Sequence, residues 1–96
     1  MTVYALAQLK IHDRPTYERY MAGFMPVLIK YKGRLLAADE QPRVLEGQWD
    51  RDKVVLMAFE DAAAFRAWAT SPEYTEIAKD RTASADAVVL LLQGVG

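Results

Sequence analysis

Apolar positions along the chain follow two rhythms, short unbroken runs and a helical recurrence, and their alternation sets out the fold. The clearest run, Val54-Val55-Leu56-Met57-Ala58-Phe59, is too short for an ordinary helix and is flanked by charge, so it reads as a strand buried on both faces. Val3 to Ile11 sets Val3, Ala5, Ala7 and Leu9 on one side and Tyr4, Leu6, Gln8 and Lys10 on the other, a second strand mostly buried on both faces. Ala87 to Gln93 is a last strand of the same kind, and Arg34 to Ala38 is a shorter one. Val44 to Trp49 reads as extended structure that turns at Asp50-Arg51-Asp52 and pairs with the 54–59 strand as an antiparallel hairpin.

Between these runs the spacing turns helical. Asp13 offers an N-cap and Pro15 sits in the first turn, where its missing N–H costs nothing. Tyr17, Tyr20, Met21, Phe24, Val27, Leu28 and Tyr31 then form one stripe of a helix, with a kink expected at Pro26 and a C-terminal cap at Gly33. Asp61 caps a second helix carrying Phe65 and Trp68. Ser71-Pro72 ends it and starts a short third helix, with Tyr74, Ile77, Ala78 and Arg81 on one side. The order of elements predicts an α+β, ferredoxin-like βαββαβ fold with an antiparallel sheet, its first and third strands parallel in the middle and its helices on one face. Since strands 54–59 and 87–92 are apolar on both sides, the uncovered face needs a cover, and a second copy of the chain is the simplest one.

Composition narrows the function. A chain of 96 residues predicts one domain, 1–96, and 52% hydrophobic content leaves more apolar surface than a small monomer easily hides. A net charge of -1 gives no footprint for nucleic acid or an anionic membrane, so neither is expected as a partner. The sequence has no cysteine and one histidine, so no metal site is expected; without a glycine-rich phosphate loop, no nucleotide cofactor is expected either. Lacking a basic leader or a long apolar run, the chain reads as cytoplasmic.

Several segments together resemble the family known as domain of unknown function 1330: Asp13 with Tyr17 and Tyr20, Tyr31-Lys32-Gly33-Arg34, Val44-Leu45-Glu46-Gly47-x-Trp49, Phe59, Ala63 to Trp68, Ser71-Pro72-Glu73-Tyr74 and Arg81. The resemblance covers nearly the whole chain and implies a dimeric α+β barrel, in which two ferredoxin-like sheets pack face to face. It implies no chemistry, since that family has no assigned function. Lys32 departs from it, standing where the first of a glycine pair is often found, and His12 inherits no role from it.

Candidate site residues are Arg34, Glu46, Trp49, Trp68, Tyr74 and Arg81. Charges in apolar surroundings need partners. Arg34 and Arg81 therefore either pair with Glu46 and other carboxylates or hold a carboxylate or enolate oxygen of a ligand. Arg81 and secondarily Arg34 are expected beside an internal pocket containing at least one of Trp49, Trp68 and Tyr74. The tryptophans and tyrosines serve equally as core or as the wall of an apolar pocket. His12 reads as an ordinary loop histidine. Two functions stay open: a small-molecule site performing cofactor-independent oxygenase or isomerase chemistry on a partly apolar substrate, and a non-catalytic dimeric binding or interaction protein.

Overall fold

In the computed structural model, which describes residues 1–95, the apolar runs become a four-stranded sheet. Strand β1 (Val3–Ile11) alternates buried and half-buried positions, with Val3, Ala5, Ala7 and Leu9 facing inward. Helix α1 (Arg14–Lys30) follows, then β2 (Arg34–Asp39), β3 (Lys53–Phe59), α2 (Ala62–Ala69), α3 (Pro72–Ser84) and β4 (Ala85–Gln93). The sheet order is β2-β3-β1-β4, with every neighbouring pair antiparallel. β1 and β3 are central, as expected, but antiparallel rather than parallel. The crossover through α1 returns β2 in the direction of β1, and the following reversal then sends β3 the opposite way.

The 44–49 segment does not form the expected hairpin with β3. One edge of β3 pairs with β1 and the other with β2, so no ladder is left for a further strand. Residues 40–52 form a loop instead, turning at Gly47 with φ +87 and held to β1 at both backbone and side chain. Asp52 N donates to Leu9 O at 2.7 Å, and the Asp52 carboxylate accepts from Ile11 N at 2.6 Å. A register shift between Leu35 and Ala37 bends β2.

The helices begin where their caps dictate. Asp13, Asp61 and Ser71 accept from the backbone amides of Thr16, Ala64 and Tyr74 respectively. α1 runs through Pro26, which lies on its exposed side, so the Ala22 carbonyl deprived of a partner is also on the wet face. At its end, Lys32 N donates to Ile29 O and Gly33 N to Leu28 O, a Schellman closure. The left-handed residue in it is Lys32, at φ 64, and not Gly33. Gly33 is required for space: a Cβ there would lie 2.4 Å from Leu28 Cδ1 and 2.7 Å from Phe59 Cε1.

Helices cover one face of the sheet over β1 and β3, while Val89 and Leu91 on that side of β4 stay nearly half exposed. On the other face, cross-strand rows Val54–Gln8–Val88, Leu56–Leu6–Leu90 and Ala58–Tyr4–Leu92 make an open, largely apolar surface. Val88, Leu90 and Leu92 are all about two-fifths exposed there. No helix among the described residues is long and apolar enough to cross a membrane.

Candidate functional site

Between the sheet and the helices lies a cavity of about 250 Å³ that spans the sheet from Val89 on β4 to Leu35 and Ala38 on β2. Its floor is β1 and β3 and its roof is aromatic. The α1 stripe contributes Tyr17, Tyr20 and Phe24, and α2 and α3 add Phe65, Trp68 and Tyr74. The joint at Ser71 sets the last two. Its hydroxyl donates to Trp68 O at 2.8 Å and accepts from Tyr74 N at 3.0 Å, bringing the two rings to 4.1 Å between centroids. Arg81, two turns beyond Tyr74 on the same helical face, reaches the same space.

Polar atoms in this wall are few. The Tyr20 and Tyr74 hydroxyls hydrogen-bond to each other at 2.9 Å. Burial, followed by the neighbouring Tyr74, pushes the Tyr20 phenol far above its ordinary range, and burial lifts Tyr17 to about 12. Both are neutral hydroxyls at physiological pH. Trp68 Nε1 and Arg81 Nε are buried donors without a partner. Buried donors in proteins are nearly always satisfied, so these two orphans, both on residues that line the cavity, are exceptions to that rule. Among the described residues no carboxylate lies within 4.0 Å of the Arg81 guanidinium.

The six residues singled out in the sequence divide. Trp68, Tyr74 and Arg81 line the cavity; Arg34, Glu46 and Trp49 do not. Arg34 pairs in register with Ala58, whose neighbour across β1 is Tyr4, so it projects from the open face and is exposed. Glu46 is exposed in the 40–52 loop and forms no ion pair among the described residues. Trp49 is half-buried, its indole donating to Gln8 on the open side of β1 at 2.9 Å. These two line a second, shallow hollow with Arg43, Val44 and Leu45. The pocket expected around two arginines thus has one, because the sheet separates Arg34 from Arg81.

Lys53 was not singled out, yet it is only 6% exposed. Its Nζ lies 3.8 Å from Met21 Sδ and 5.0 Å from the centre of the Tyr17 ring, and both of those residues line the cavity. Burial lowers the pKa of its ammonium. Following Asp50-Arg51-Asp52, this lysine reads as part of a polar turn; the only hint of burial is its parity with Val55 and Met57. At the C-terminal end of α1, the Glu73 carboxylate takes hydrogen bonds from Lys30 and from the Tyr31 hydroxyl, the latter at 2.8 Å, tying α3 to α1. The Lys30 bond first, and then its other hydrogen bonds, hold Glu73 at about 2.

A family model described as Domain of unknown function (DUF1330) matches residues 2–95. Among curated proteins, none matches the chain. A solved protein of unknown function from Rhodopseudomonas palustris superposes with a TM-score of 0.85 at 19% identity, covering 99% of this chain and 83% of its own. SnoaB, a cofactor-independent oxygenase from Streptomyces nogalater, gives 0.74 at 14% identity, covering 99% and 94%. A dimeric ferredoxin-like protein of unknown function from Jannaschia sp. CCS1 gives 0.71 at 21% identity, covering 98% and 100%. At these identities the likeness is one of fold, and it agrees with the ferredoxin-like topology described above.

Proposed function

The chain belongs to the family described as Domain of unknown function (DUF1330), and from that premise we propose that it is a homodimeric binding protein for a small, partly apolar molecule held between sheet and helices. The observation that carries this reading is the cavity itself, with two unsatisfied buried donors in an otherwise aromatic and aliphatic wall. A volume of about 250 Å³ suits a ligand of one or two rings rather than a nucleotide. The dimer is supported by the open apolar face and by the dimeric state of the Jannaschia neighbour, which shares this fold.

Binding is preferred to catalysis for a chemical reason. No carboxylate, imidazole, serine hydroxyl or thiol is among the described residues that line the cavity, and Tyr17 and Tyr20 are held neutral, so the wall supplies donors but no evident general base. The reaction such a wall suits is one in which the substrate brings its own reactive anion. Oxygenation without a cofactor, the activity of SnoaB, is of that kind and is the second reading.

A thermal-shift screen of small carboxylic acids, phenols and lactones tests the proposal, run in parallel on the protein and on Ala69→Trp, which fills the cavity from α2. Ligands are expected to raise the melting temperature of the protein and not that of the filled variant. A screen without any shift, or with shifts that persist in Ala69→Trp, sinks the site. Oxygen uptake measured on each hit then separates a binder from an oxygenase.

A further inference from the structure

The polar chemistry around the cavity is one-sided. Trp68 Nε1 and Arg81 Nε, the two unsatisfied atoms on residues that line it, are able only to donate. Lys53 Nζ, behind Tyr17 and Met21, is a third group of the same kind, with a thioether and a ring face for company. No carboxylate among the described residues lies within 4.0 Å of Lys53 or of Arg81. Those whose charge reaches Lys53, Glu40 and Glu18 from the loop and from α1, are exposed and already engaged by Arg14, at 2.9 and 3.7 Å. Their field is weakened by water and by that pairing. Lys53 is a buried cation without a neutralising partner beside this small apolar chamber, and it weakens the fold unless a negative charge joins it; Arg81, half-buried, adds another positive charge there.

We propose that the cavity is a receptor for a small apolar oxyanion, a carboxylate or enolate carried on a ring. Arg81 and Trp68 donate to its oxygens, and Lys53 supplies a second positive charge from behind Tyr17 and Met21. This inference rests on the reading of the cavity as a ligand site and names the chemical class of the ligand. Fork-shaped guanidinium donors match the two oxygens of a carboxylate, while the aromatic roof receives the ring. The anion also explains the burial of Lys53: an ammonium that destabilises the empty protein is compensated when the site is filled. The downward shift of its pKa by burial has the same sense.

Calorimetric titration with naphthoate and with its neutral counterpart naphthamide tests the proposal at neutral pH. Naphthoate is expected to bind at least about tenfold more tightly. Arg81→Gln and Lys53→Met are each expected to weaken naphthoate binding by about tenfold and naphthamide binding by less, so that the preference for the anion shrinks. Without ligand, Lys53→Met is expected to melt at a higher temperature than the parent protein, which confirms that the substitution is tolerated. Equal affinity for the two probes overturns the oxyanion assignment and leaves the cavity as a neutral-ligand site. A preference for naphthoate that survives both substitutions overturns it as well, because the anion then sits elsewhere. If neither probe binds, the oxyanion assignment falls; the cavity reading falls with it only if the screen on Ala69→Trp also fails.

Discussion

Lys32 and Gly33 divide between them two duties that a single glycine often performs. Lys32 adopts the left-handed conformation that closes α1, although it carries a Cβ, and Gly33 vacates the space occupied by Leu28 and Phe59. Lys32→Gly is expected to stabilise the protein by about 1 kcal/mol, because the strain of a left-handed non-glycine residue disappears. Gly33→Ala is expected to cost about 1–3 kcal/mol, since both contacted side chains are fully buried and have little room to yield. Chemical denaturation of the two variants checks both signs. From the sequence, Gly33 was legible as the end of the helix and its reason was not. A one-residue offset between the strained position and the crowded one leaves the same letters. Lys53 shows the complementary limit. What buries it is Tyr17 and Met21 arriving from α1, a tertiary event that no local pattern around residue 53 records.

Elements whose ends are fixed by their own side chains were the legible ones. Asp13, Asp61 and Ser71 cap the helices they were expected to cap, and the parity of β1 separates the helix face from the open face. The 44–49 segment is a loop and not a strand, and its extended, apolar letters do not show it: they are indifferent to whether β3 has an edge free, and that depends on where β2 lands. Arg34 was placed near Arg81 for a related reason: with both sides of the strands apolar, the letters do not say which side meets the helices. The joint between α2 and α3 carries the sharpest test at this scale. Ser71 is buried and makes two hydrogen bonds, so Ser71→Ala is expected to cost about 1–2 kcal/mol, leaving the Tyr74 amide unsatisfied. Thermal melting of a domain this size should register that as a drop of roughly 4–15 °C. As the same hydroxyl sets the spacing of Trp68 and Tyr74, ligand-induced stabilisation is expected to shrink in parallel.

At the scale of the molecule, the two faces of the sheet have different work. Leu56 stands in the middle row of the open face, beside Leu6 and Leu90, whereas Val55 points into the cavity. In the proposed dimer, Leu56→Asp buries an unpaired carboxylate at a cost on the order of several kcal/mol. Sedimentation velocity is expected to show that variant as a monomer or an aggregate, with the parent protein a dimer. A parent protein that sediments as a monomer removes the dimer from the proposal. Val55→Asp is expected to damage ligand binding and folding instead.

Because the cavity and the open face lie on opposite sides of one sheet, a dimer joined through its open faces holds its two cavities on its outer flanks. The facing sheets, about 10 Å apart, stand between them. Each subunit then supplies the whole of its own binding wall. Occupation of one cavity leaves the other's affinity unaltered, so titration is expected to give two equivalent sites per dimer and a Hill coefficient of about one.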